Sequence, residues 1–202
     1  MKRNSQKHFL SLAILVFFFF IAGSSTVNKI HYGAFNYYNS VEDKKEGNYI
    51  VLNNGTKVKG ENIEFKAGLF TKDEVKVDDQ KFPLKEVKGY RMGSVYYIKH
   101  KNVFIQRIVH GPKINIYAML LEVTKQSKEG FTSVEKKAFH YSQKGEDGPL
   151  EPFGSQKKIK ELVADCPEAV KMVDKSNREM TKAIKQNRNY LNTIFDTYNN
   201  CK

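Results

Sequence analysis

Side chains able to move protons or hold a metal are few in this chain, and they are scattered. Beyond residue 8, His31, His100, His110 and His140 stand alone, without the HxH or HExxH spacing that sets two imidazoles on one strand edge or helix face. The acid pairs Glu42-Asp43, Asp73-Glu74, Asp78-Asp79 and Glu146-Asp147 fall in loop-like stretches and do not fit the D-x-[DN]-x-[DN]-G calcium loop. The sequence has neither a G-x-S-x-G elbow nor a glycine-rich phosphate loop. What remains is a surface constellation of His100, His110, Tyr97 and Arg107. His100 and His110 end consecutive candidate strands, where they could meet across a sheet and bind a metal; ordinary polar residues at strand ends are the simpler expectation. Tyr96-Tyr97 and Tyr37-Tyr38 each present one ring per strand face, and an outward ring can stack on a glycan. These residues imply no catalytic, cofactor-binding or metal-ligating set.

The two cysteines, Cys166 and Cys201, both lie near the end of the chain. An even pair in an exported protein reads as a disulfide, and closing a loop of this length contributes about 3–4 kcal/mol on the chain-entropy model. Two free thiols are the alternative; a shared metal site lacks a His or Cys neighbour at zinc-ligand spacing.

Export is implied by residues 1–25. Lys2, Arg3 and Lys7 precede the apolar run Phe9–Gly23, and small residues Ser24, Ser25 and Thr26 follow, which is the layout of a cleavable signal peptide. The run is shorter than the ~20 apolar residues of a membrane-spanning helix, so the mature chain is expected to have no membrane span. Losing the three basic residues of the leader lowers the net charge from +12 to +9. Of 34 basic side chains only five are Arg: Arg3, Arg91, Arg107, Arg178 and Arg188. Dispersed Lys mostly keeps a surface solvated, and the shortage of planar guanidinium forks argues against specific nucleic-acid recognition, while leaving room for an acidic glycan or lipid.

The elements that would position these residues begin after a flexible lead-in, residues 26–48. Residues 49–145 read as an antiparallel β domain. Tyr49–Asn53 and Thr56–Lys59 flank Asn54-Gly55, which suits a type I′ hairpin. Glu74–Val77 and Lys81–Leu84 flank Asp78-Asp79-Gln80, with Pro83 confined to an edge or bulge. Val95–His100, Val103–Val109 and Ile114–Val123 carry the strongest β signal, and Val134–Ser142 adds a last strand. Seven or eight short strands predict a small antiparallel barrel or a curled meander. Gly145–Gly154 reads as a boundary. Residues 155–202 then predict a helical segment packed on or beside the sheet: Ser155–Ala164 with a Ser155 cap, Glu168–Lys175 opened by Pro167, and one long helix Asn177–Asn199 with Met180, Ile184, Leu191, Ile194, Phe195 and Tyr198 on a stripe. The fold class expected is α+β, with a disulfide-bearing C-terminal helical tail.

The segments YIVLNNGTKVKG, LKEVKGYRMG, YYIKHKNVFIQRIVHGPKINIY and KKIKELVADCPEAV, with Asp165-Cys166-Pro167-Glu168 and Tyr198-Asn199-x-Cys201 as the most specific points, resemble a group of small, secreted, uncharacterised proteins of Bacteroidetes-type Gram-negative bacteria. The resemblance spans roughly residues 49–201 and implies a periplasmic or surface address and a Cys166–Cys201 bridge, but no activity. The resulting expectation is an exported, non-catalytic binding or scaffold protein of the cell envelope, partnered by an envelope protein. The alternatives are an electrostatic binder of anionic envelope polymers or lipids, and an envelope hydrolase using loop carboxylates with His100 or His110.

Overall fold

The computed structural model describes residues 46–68, 71–101, 103–126, 132–187 and 189–202. The predicted signal peptide and nearly all of the lead-in lie outside the described residues. The larger of two compact units joins His31–Leu121 to Lys137–Lys202, and the sites below all belong to it. The smaller unit includes Glu122–Lys136, the outer parts of two long strands.

Eleven strands are found among the described residues: β1 (Tyr49–Leu52), β2 (Lys57–Lys59), β3 (Ile63–Gly68), β4 (Thr71–Val77), β5 (Gln80–Pro83), β6 (Val87–Met92), β7 (Val95–His100), β8 (Val103–Val109), β9 (Ile114–Gln126), β10 (Thr132–Lys144) and β11 (Glu151–Phe153). They form an eight-stranded sheet in the order β11-β10-β9-β8-β7-β6-β1-β2 and a separate three-stranded sheet, β3-β4-β5. The large sheet is mostly antiparallel. Of the two forms expected, a small barrel or a curled meander, the barrel is not formed, because the sheets do not close. The large sheet's end strands β2 and β11 are three residues each and are not paired with one another, so they leave two short edges of the kind that resist further pairing.

Turn chemistry explains the register. Gly55 takes φ 83° but Asn54 does not join it at positive φ, so the first hairpin is not type I′. The Gly55 N–H donates to the Leu52 carbonyl and the Leu52 N–H to the Thr56 carbonyl, which closes a three-residue loop with Gly55 in the left-handed position. In the β4–β5 hairpin Asp78 stands at φ 50°, and its carboxylate accepts from the N–H groups of Glu61 and Asn62, tying the start of β3 to this turn. Pro83 ends the edge strand β5, where no ladder donor is needed.

The two faces of the large sheet are filled differently. On one, Tyr49, Tyr96, Ile98, Ile105, Tyr117 and Tyr141 form a buried cluster under Leu150. The other face is shared. Near β1 and β6, Ile50 and Val87 pack on Ile63, Val75 and Val77 of the small sheet. Near β8 and β9, Ile108, Ile114, Ile116 and Ala118 receive the helical tail.

That tail comprises α1 (Gln156–Leu162), α2 (Pro167–Val173), α3 (Asn177–Gln186) and α4 (Tyr190–Asn200). Ser155 caps α1 by accepting from the Lys158 N–H, Pro167 opens α2, and Ser176 with Glu179 makes a capping box on α3. The predicted single helix Asn177–Asn199 is broken in two. The Asn187 side chain accepts from the Asn189 N–H, and the Asn187 carbonyl from the Tyr190 N–H, which diverts the backbone into a turn. Of its predicted stripe, Met180, Leu191, Ile194, Phe195 and Tyr198 are buried, whereas Ile184 on α3 is 41% exposed. The predicted disulfide is present, joining Cys166 at the N-cap of α2 to Cys201 at the C-cap of α4 with their Cα atoms 5.9 Å apart. Among the described residues no helix is long and apolar enough to cross a membrane.

Asn199 fastens tail to sheet. Its side-chain oxygen accepts from the N–H groups of Lys113 (3.1 Å) and Ile114 (2.9 Å), and its amide donates to the Ile114 carbonyl (2.9 Å). Gly111 makes room, because a Cβ there would lie 2.1 Å from the Asn199 Cγ. Replacing Asn199 by Ala strands buried backbone groups, each costing about 1–3 kcal/mol. Urea denaturation of Asn199→Ala is therefore expected to show a loss of about 2–5 kcal/mol, with Gly111→Ala also destabilising; a change under 1 kcal/mol in both would refute the clamp.

Candidate functional site

The most unusual arrangement of side chains is a lateral row on one face of the large sheet. Register places Tyr49 beside Arg91, Arg91 beside Tyr96, and Arg107 beside Tyr117. The Arg107 guanidinium lies 4.3 Å from the centre of the Tyr96 ring, so Tyr49, Arg91, Tyr96, Arg107 and Tyr117 alternate across five strands. All five are buried, Arg91 to 2% and Arg107 to 5% exposure. A carboxylate stands at each end: Glu46 is 3.7 Å from Arg91, and Glu146 is 3.6 Å from Arg107. Burial pushes the Glu46 carboxyl up, but the Tyr49 hydroxyl with Lys57 and Arg91 outweighs it and holds the group below its usual value. Burial raises the Tyr117 hydroxyl far above the usual phenol range, so it stays protonated and donates to the Gln143 side-chain oxygen at 2.7 Å. The Gln143 amide in turn donates to the Gly148 carbonyl, and Asn115 donates to the Gly145 carbonyl, which together pin the 145–150 connection over this face.

Tyr97, Arg107, His100 and His110 are not brought together as one site. His100 and His110 sit at opposite ends of β8. In an antiparallel pair the end of one strand faces the start of the next, so His100 pairs with Val103, and His110 follows seven residues later, about 20 Å along the strand. Tyr96 and Tyr97 point to opposite faces, as alternation requires, so Tyr97 is also separated from Arg107. His110 instead meets Glu146, its Nε2 3.1 Å from the same carboxylate oxygen that faces Arg107. A His–carboxylate pair can relay a proton, but among the described residues no Ser, Thr or Cys hydrogen-bonds to either His100 or His110. His100 packs its ring 4.5 Å from Tyr141, and burial followed by the Lys101 charge pulls its pKa below 6.5.

Tyr97 belongs to an aromatic cluster on the opposite face. It stacks on Tyr90 with ring centres 4.7 Å apart, Phe104 meets Tyr90 edge-on at 4.9 Å, and Phe65 of β3 lies 4.6 Å from Tyr90 and 5.4 Å from Phe104. Tyr97 itself is only 9% exposed, whereas Phe65 is 39% exposed. The most exposed ring of this cluster is thus Phe65. A cavity of about 320 Å³ is lined by Lys88, Lys99, Lys101, Gln143 and Leu150. Two of its lysines are engaged internally, Lys88 with Asp147 and Lys99 with the Leu84 carbonyl, each at 2.7 Å.

No protein-family model, no curated protein and no solved structure matches this chain.

His140 supplies a test of the electrostatics. Burial lowers its pKa from 6.5, and its Nε2 has no hydrogen-bond partner among the described residues. Because the unfolded chain then takes up a proton that the folded chain refuses, stability is full above pH 6.5 and falls as the pH drops below it. Thermal melts between pH 7.5 and 5 are expected to show this decline and His140→Gln to flatten it; parallel curves for both proteins would contradict the assignment.

Proposed function

We propose that the chain is an exported, non-catalytic binding or scaffold protein of the bacterial cell envelope. The observation that carries this reading is the aromatic cluster with Phe65 at its rim. Rings give large contact areas for little lost side-chain freedom and dominate binding hot spots, and Tyr90 and Phe104 pack against Phe65 and hold it in place. The Cys166–Cys201 bridge agrees with an oxidising compartment, the address already suggested by the leader and by the resemblance around Cys166 and Cys201.

A second reading, an electrostatic binder of anionic envelope polymers or lipids, draws on the lysine-lined cavity. It is the weaker of the two because Lys88 and Lys99 already have partners within the protein. An envelope hydrolase using a loop carboxylate with His100 or His110 draws only on the His110–Glu146 contact, and among the described residues no Ser, Thr or Cys hydrogen-bonds to either histidine.

Capture from an envelope fraction at low and moderate salt separates the readings. A discrete protein partner retained at moderate salt, and lost with a folded Phe65→Lys variant, is the expected result. Capture of only lipid or glycan, abolished by moderate salt and indifferent to Phe65→Lys, would overturn it in favour of charge.

A further inference from the structure

Glu168 reaches both sulfurs of the disulfide. Its Oε2 lies 3.6 Å from Cys166 Sγ and 3.2 Å from Cys201 Sγ. An acid in the first turn of a helix is ordinary, since it complements the helix dipole. A carboxylate oxygen seated against two cysteine sulfurs is not explained by the dipole. The three donor atoms lie within 4.8 Å of one another, and they are of the types that bind zinc.

The geometry points to a second state of this cluster: when the disulfide is reduced, Cys166, Cys201 and Glu168 form a three-ligand site for Zn²⁺. In a tetrahedral site with ordinary zinc–sulfur and zinc–oxygen bonds, sulfur and oxygen ligands stand about 3.6 Å apart and two sulfurs about 3.8 Å apart. The two sulfur–oxygen separations are thus close to the required values, and only the two sulfurs must part. Cys201 can supply that movement. It stands at the C-cap of α4 and is half-buried, whereas Cys166 is fully buried and Glu168 is exposed. The partial exposure of Cys201 leaves the fourth position to water.

The chemistry balances with a dithiol or phosphine reductant. The reductant gives two electrons, two protons enter, and the sulfur–sulfur bond becomes two thiols while the dithiol closes to a disulfide, or the phosphine takes oxygen from water. On binding, both thiols release their protons to solvent, and the two thiolates and the Glu168 carboxylate donate electron pairs to the metal. Equal spacing along the sequence could not have revealed this site, because Cys201 joins the other two ligands only after α4 has folded back along α2.

The test titrates the purified protein with Co²⁺ and then Zn²⁺, oxidised and after anaerobic phosphine reduction, while far-ultraviolet circular dichroism follows the fold. Expected are one metal per reduced chain with a thiolate-to-cobalt absorption band, displacement by Zn²⁺, no such band for the oxidised chain, and at least ten-fold weaker binding by reduced Glu168→Gln. Equal affinity in Glu168→Gln would reduce the site to a bare dithiol and overturn the proposal. So would a reduced chain that Zn²⁺ neither binds nor restores to the native spectrum.

Discussion

The tail and sheet are held in register by one side-chain amide. Apolar contact between the helices and β8–β9 is broad but non-directional: Phe195 or Ile194 would bury comparable area with the tail shifted along the sheet. Asn199 removes that freedom, because the Ile114 N–H and C=O it satisfies are fully buried and have a single geometry to offer. Two other features serve the same contact. Gly111 leaves out the Cβ that would occupy the amide's place, and the disulfide two residues further on holds the end of α4 against the start of α2. Lost adhesion would loosen the tail, but loss of this hydrogen-bonded fit would leave it without a defined position.

The division of the sheet's faces has a similar logic. A barrel would turn one face inward and fill it with side chains of the same sheet. Here one face is divided between the small sheet and the helices, while the other carries a row in which two arginines alternate with three tyrosines. Two guanidinium groups this deeply buried would repel one another if adjacent. Tyr96 lies between them and offers its face to the Arg107 cation, and Glu46 and Glu146 supply opposite charge at the two ends. The open sheet is therefore compatible with a half-polar face that a small closed barrel could not easily contain.

Legibility in the sequence followed how local the causes were. β7, β8 and β9 were readable because β-branched and aromatic residues run through them, and the caps at Ser155 and Pro167 because each acts within one helical turn. β6 is less legible, because a glycine such as Gly89 reads locally as a turn residue. In the fold that glycine is a mid-strand residue whose missing Cβ makes room for the Tyr96 hydroxyl, a neighbour on the next strand. β11 was hidden by Pro152, which an edge strand tolerates. The break at Asn187 escaped notice because the apolar stripe resumes in phase beyond it. The disulfide could be inferred by counting cysteines, but not Glu168 beside it, nor the separation of His100 from His110, since both depend on which segments the fold brings side by side.

Glu168 also bears on the oxidised state. Thiol–disulfide exchange begins with attack by a thiolate, and the accessible sulfur for that attack is Cys201, since Cys166 is fully buried. A carboxylate 3.2 Å from Cys201 Sγ opposes an approaching anion by like-charge repulsion at the atom it must reach. The same negative charge attracts a cation once the sulfurs are reduced. One side chain thus slows opening of the cross-link by anionic thiols and, in the proposed reduced state, attracts a metal cation. This is a stronger reason for an acid at this position than the helix dipole alone, because the dipole would be served equally by a carboxylate turned away from the sulfurs.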